Sequence, residues 1–185
     1  LSIIAVRGQD GSTLFYPLAE NHHHGGILSH SLVPAPHLDE NTQLTAERYI
    51  SSILHELGHV GVLTLELFET RHGLMANETA PRVHNSGHWS IEGAHSSQFE
   101  NHVRAVLGLP LGSTALTGAS VEMENLIGDE ADRWPALLAE EGAQRAYALH
   151  CRANLVKSFA KLIRLLSQIA IFAAGAIVVI KNEAS

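Results

Sequence analysis

Residues 60–78 read VGVLTLELF, then ETRHG, then LMANE. The first run is apolar and rich in strand formers, and the five-residue link carries a glycine turn signal. So short a link suits an antiparallel hairpin and not a parallel crossover. The expectation is a strand over 60–68, a turn over 69–73 and a returning strand over 74–78. Centring that hairpin on His72 pairs positions whose numbers sum to 144, so that Glu66 opposes Glu78. Opposed side chains lie about 4.5–5.5 Å apart at Cβ. Two like charges at that spacing repel unless a cation lies between them. Their neighbours Leu65, Leu67, Met75 and Ala76 are apolar, which implies a half-buried site where an unpaired charge is costly. Mg²⁺ suits such a pair, since it takes one or two carboxylates together with substrate phosphate oxygens. A one-residue slip in register is the other reading, and it would send the carboxylates to opposite faces.

Arg82 follows past Pro81, and its guanidinium suits a planar anion such as bicarbonate or a carboxyl phosphate. His84, Asn85, Ser86 and His88 then supply donors and acceptors around Gly87. Two carboxylates, an arginine and a polar loop fit a phosphoryl-transfer site, where cation and guanidinium offset developing charge. A surface ion pair is the bland alternative for Arg82.

A second motif competes for attention. His55-Glu56-Leu57-Gly58-His59 imitates the zinc-peptidase pattern His-Glu-x-x-His. That chemistry needs both histidines on one face of a continuing helix. Gly58 is a natural helix stop, and the residues after it read as strand, which turns His59 away from His55. The position for a further histidine is Leu65, although Glu92 could serve as a more distant ligand. The competing function is therefore a membrane-anchored zinc metallopeptidase using His55, Glu56 and His59. His22, His23 and His24 stand before Gly25-Gly26. Three adjacent residues cannot all aim at one ion from an ordered backbone, so one functional histidine in a glycine loop, or none, is expected.

Elsewhere, strands are expected over 1–6 and 13–16, separated by the turn Gln9-Asp10-Gly11-Ser12. A loop is expected over 20–26, a strand over 27–33, and a break at Pro34 and Pro36. Asp39 or Asn41 can cap a helix ending near Leu57, on which Leu44, Tyr49, Ile50, Ile53 and Leu57 sit near helical spacing. Further expectations are a helix over 97–107, a strand over 121–127, and a helix or helix–strand mixture over 134–149. Pro110, Gly112 and Gly118 mark a boundary between 1–109 and a partial second unit at 110–150, while 151–185 turns basic and then apolar.

Several function classes drop out. A formal net charge of -7 argues against nucleic acid, whose phosphates need a clustered basic surface. Cys151 stands alone, so no intrachain disulfide forms and a reducing, cytoplasmic setting is expected. Residues 165–180 form an uncharged run of 16, interrupted by Ser167 and Gln168. A membrane span needs about 20 residues, so no membrane association is expected and a buried apolar tail is the plainer reading. The chain opens in a strand-like run that does not start with methionine, and no signal peptide is expected.

The block NETAPRVHNSGHWSIEGAHSSQFENHVRAVLGLPLGS resembles the signature region of the N5-carboxyaminoimidazole ribonucleotide synthases, ATP-grasp enzymes of purine biosynthesis. VRGQDGSTLFYPLAENHHHGGIL and VGVLTLELF resemble the same family, and the likeness runs from Leu1 to about Ile127. The resemblance implies an α+β fold: an ATP-grasp large lobe, with an antiparallel sheet and flanking helices, plus part of a small β-rich C-terminal domain. It implies ATP- and Mg²⁺-dependent carboxylation of 5-aminoimidazole ribonucleotide by bicarbonate, with Mn²⁺ as an alternative ion. Carried over by position, Glu66 and Glu78 match the metal carboxylates, and Asn77 with Glu78 matches the nucleotide-binding pair. His23 matches the loop histidine near ATP, Arg82 the bicarbonate arginine, and His84 to His88 the loop at the reacting centre. A homodimer is implied for the complete enzyme. The family's first domain, small lobe and adenine hinge would precede Leu1, and beyond Tyr147 the likeness ends. The expectation is a metal-binding lobe that does not turn over alone.

Overall fold

The computed structural model describes residues 1–127, 133–139, 143–149 and 176–183. Among the described residues there are two antiparallel sheets. The first has the order β2 (Thr13–Phe15), β1 (Ser2–Arg7), β5 (Gly61–Thr70), β6 (Gly73–Ala80). The second has the order β3 (Glu20–His24), β4 (Ile27–Val33), β7 (Ser120–Ile127), β9 (Ala176–Glu183), β8 (Ala143–Leu149). The α-helices are α1 (Glu40–Leu57), α2 (Ser90–Gly93), α3 (Gln98–Val106) and α4 (Trp134–Leu138).

β1 is buried on both faces, which explains why it reads as a continuous apolar run and not an alternating one. Ile3 and Ala5 join Ile50 and Leu54 of α1 and Leu63, Leu65 and Leu67 of β5 in one cluster. Ile4 and Val6 face the other way, toward Val62, Tyr16, Trp89, Ala105 and Met123. Val121 and Met123 of β7 belong to that second cluster, so the two sheets share a core around Trp89. Trp89 is fully buried and meets Tyr16 edge to face at 5.9 Å. Tyr16 donates its hydroxyl to the Ser96 carbonyl at 2.8 Å and accepts from Asn101 at 2.9 Å.

Local chemistry sets the element ends. Asp39 caps α1 by accepting from the Thr42 amide at 2.8 Å. Gly58 closes the same helix in the left-handed region at φ 57°, donating to the His55 and Leu54 carbonyls. Ser97 caps α3 by accepting from the Glu100 amide.

The expected loop over 20–26 is instead a hairpin. β3 and β4 pair antiparallel, with His24 opposite Ile27 across Gly25-Gly26. Both glycines have positive φ, at 57° and 81°, as a two-residue hairpin turn of the strand-compatible hand requires. The polar sequence ENHHH hid this strand, because its partner supplies the ordering that its own side chains do not. β4 pairs with β7, so the second sheet draws on residues either side of position 109. Of the apolar run at 165–180, residues 165–175 lie outside the described residues and the remainder belongs to β9. Among the described residues, no helix is long and apolar enough to cross a membrane.

Candidate metal and nucleotide site

The hairpin of β5 and β6 turns through Arg71-His72, one residue shorter than a turn centred on His72. Near the turn the pairs sum to 143, as in Phe68↔Met75 and Leu67↔Ala76. Left uncorrected, that register is the one-residue slip that would split the carboxylates. A bulge corrects it: Leu65 pairs with Thr79 and Thr64 with Ala80, back in the 144 register. Glu66 therefore faces two residues, Asn77 and Glu78, where a regular ladder would give it one. Asn77 Nδ2 donates to Glu66 Oε2 at 3.2 Å.

His84 arrives from the segment after β6, and its Nε2 lies 3.8 Å from Glu66 Oε1. One ligand atom each from Glu66, Glu78 and His84 fall within 4.8 Å of one another. At that separation two carboxylates repel by about 3 kcal/mol in a surface-like dielectric, which a divalent cation would reverse into attraction. The hard carboxylate oxygens suit Mg²⁺, and the exposure of Glu78 leaves room for oxygens from outside the protein.

The loop that delivers His84 is fastened by a residue the sequence reading passed over. Gln98 accepts from the His84 amide at 2.9 Å and donates to its carbonyl at 2.6 Å. Gln98 is fully buried at the first position of α3, and its own amide donates to Ser90 Oγ at 3.0 Å. A glutamine just after a helix-capping serine is the only signal the sequence offered. Residues 85–87 form a single 3₁₀ turn, with His84 Nδ1 accepting from the Ser86 amide. Asn85 lies 3.5 Å from Asn125 of β7, another buried polar side chain that the sequence reading did not single out.

Burial holds the His84 imidazolium below its ordinary pKa; Glu66 pulls the other way, and Arg82 reinforces the depression. His23 is exposed on β3 yet close enough for its charge to act on His84. Arg82 donates to the Val83 carbonyl at 2.9 Å. His88 is not in the carboxylate group. Its ring packs on Phe99 at 5.6 Å, and burial, then His84, push its pKa down to about 4.

The His-Glu-x-x-His imitation does not assemble. His55 is an exposed residue of the last turn of α1, whereas His59 lies beyond the Gly58 cap with its Nε2 3.0 Å from the Val62 carbonyl. Among the described residues, no metal-sized grouping includes His55, Glu56 or His59.

Comparison with known proteins shows the family. A family model described as the ATP-grasp domain matches residues 1–99. The N5-carboxyaminoimidazole ribonucleotide synthase of Pseudomonas aeruginosa is 57% identical over 128 residues, covering 69% of this chain and 34% of that protein. The Escherichia coli synthase is 51% identical over 130 residues, covering 70% of this chain and 36% of that protein. The crystal structure of the synthetase from Thermus thermophilus superposes with a TM-score of 0.80 at 44% identity, over 100% of this chain and 46% of that one. The chain thus spans about a third of the length of these two synthases.

Proposed function

The chain belongs to the ATP-grasp family, and on that footing we propose that it is the metal- and nucleotide-binding lobe of a carboxylating ligase. The reaction proposed is ATP-dependent transfer of bicarbonate carbon to the amine of 5-aminoimidazole ribonucleotide. The observation that carries this reading is the bulged hairpin, which sets Asn77 and Glu78 opposite Glu66, with His84 in reach of both carboxylates. Likeness to the bacterial synthases supplies the substrate class.

In this reading Glu66 and Glu78 hold Mg²⁺, or Mn²⁺ in its place, and Asn77 with Glu78 contacts the nucleotide. The ion's contribution is to neutralise phosphate charge as it develops. Asn77 orients the Glu66 carboxylate through its hydrogen bond. His23 approaches the nucleotide from the β3–β4 hairpin. Arg82 holds bicarbonate, and later the carboxyl phosphate, through paired hydrogen bonds to a planar anion. His84, Asn85, Ser86 and His88 form the loop that borders the substrate. The Gln98 clamp on the His84 backbone keeps that loop in one conformation. Preorganisation of this kind is what phosphoryl-transfer sites depend on.

The division proposed is an ATP-grasp lobe over 1–109, part of a C-terminal unit over 110–150, and a basic, then apolar tail over 151–185. The lone cysteine favours a cytoplasmic setting. The complete enzyme is proposed to act as a homodimer. This lobe is proposed to bind Mg²⁺-ATP.

Equilibrium binding of a fluorescent ATP analogue tests the site. Glu78→Ala should abolish Mg²⁺-dependent binding, and Glu66→Gln should weaken it, both with unchanged far-UV circular dichroism. Undiminished affinity in both variants would sink the assignment.

A further inference from the structure

His84 is more than a neighbour of the carboxylates. Its ring supplies the third ligand atom of the group whose members lie within 4.8 Å of one another, its Nε2 lies 3.8 Å from Glu66 Oε1, and the side chain is 12% exposed. Its main chain is held on both sides by Gln98, and its ring Nδ1 lies 2.9 Å from Ser86 Oγ. We infer that Glu66, Glu78 and His84 together form a three-ligand site that binds a divalent transition ion on the protein alone, before any nucleotide. This rests on the reading of Glu66 and Glu78 as metal carboxylates and goes beyond it in ligand and in ion.

The donor set carries the argument. A site meant for Mg²⁺ alone needs only oxygen, and much of its coordination comes from water and phosphate. Replacing one oxygen by imidazole favours ions later in the Irving–Williams order, such as Co²⁺, Ni²⁺ and Zn²⁺. Three protein ligands also hold an ion without help from a substrate, leaving further positions open.

The structure also provides the partner that an imidazole ligand needs. Nδ1 accepts from the Ser86 amide at 3.4 Å, which leaves the ring proton on Nε2, facing Glu66. The Ser86 hydroxyl lies only 2.9 Å from the same Nδ1. An ion on Nε2 requires the neutral ring to carry its proton on Nδ1 instead; the long hydrogen bond from the Ser86 amide is then given up, and the Nδ1 proton donates to Ser86 Oγ. The ring stays neutral throughout. Ser86 is buried, so its hydroxyl is fixed behind the ring as metal-bound histidines usually require. Ser86 is a positioning residue and His84 the ligand.

CoCl₂ titrated into the 185-residue chain without nucleotide tests this, read by d–d absorption and by proton NMR of the paramagnetic complex. The wild type should take up one strong Co²⁺ and show a hyperfine-shifted, exchangeable imidazole N–H resonance. His84→Ala should weaken Co²⁺ by at least about tenfold, a loss typical even of a partner behind a ligand, and remove that resonance. His84→Gln keeps an oxygen donor, so it should retain part of the affinity while still losing the resonance. Ser86→Ala should weaken Co²⁺ by about tenfold and move the resonance. Absence of strong Co²⁺ binding by the folded wild type overturns the inference, as does a resonance that survives both His84 variants. Nucleotide binding separates the two readings. If Glu78→Ala abolishes Mg²⁺-ATP binding while His84→Ala leaves Co²⁺ affinity intact, the three-ligand site fails and the nucleotide site stands. If Co²⁺ needs all three residues but nucleotide never binds, the nucleotide reading fails instead.

Discussion

Acid should loosen this fold through His88. The imidazole packs on Phe99, and its Nδ1 is buried with no hydrogen-bond partner among the described residues. Burial first, then the His84 charge, lower its pKa from 6.5 to about 4 in the folded chain. Between those values the unfolded chain binds a proton that the folded chain refuses, so stability falls as pH falls. Above the unfolded value neither state is protonated and the effect vanishes. Below about 4 both states are protonated and the loss is complete. At 1.36 kcal/mol per pKa unit, the total reaches about 3 kcal/mol by pH 4. That is a large share of the stability of an ordinary domain.

Urea denaturation of wild type and His88→Gln across that pH range measures the effect. Glutamine cannot titrate, so the wild type should lose about 3 kcal/mol more than the variant between pH 7 and pH 4. Any constant offset from repacking drops out, because the slope with pH is the quantity compared. The carboxylates, together with His84 and His102, whose pKa values burial also lowers, titrate in both proteins and cancel to first order. Parallel slopes for the two proteins would refute the reasoning.

Two other substitutions probe the supports of the site. Gly93→Ala places a Cβ 2.7 Å from Val121 Cγ2 and 3.2 Å from Trp89 Cε3, where the two sheets share their core. Overpacking there should cost about 1–3 kcal/mol, measured as a lowered urea midpoint with an unchanged m value. Asp39→Ala removes the α1 cap and should lower the urea midpoint, while Asp39→Asn should retain most of the stability in the same denaturation series.

Much of the framework was legible along the chain because its causes are local. Asp39 and Gly58 bracket α1 by chemistry that reaches only a few residues. Ile27–Val33 reads as a strand from composition and the prolines that follow it. The mimicry of His55 to His59 dissolves at Gly58, since a left-handed residue there ends the helix before the second histidine. Runs shared with the synthases carried the family. The strand at Glu20–His24 escaped notice because its order comes from β4 and from two glycines, not from its own polar residues.

The sequence by itself determined that 60–78 is a hairpin bearing two acids close to an arginine and a polar loop. Tertiary structure decided whether those acids meet. A turn at Arg71-His72 sets one register and the β1–β5 pairing anchors the far end of the strand. The extra residue between them is absorbed as a bulge opposite Glu66. His84 joins the pair because a glutamine 14 residues further on grips its backbone from inside the core. Register and long-range hydrogen bonds depend on partners distant in sequence, so no local pattern could bring these three side chains within reach of one another.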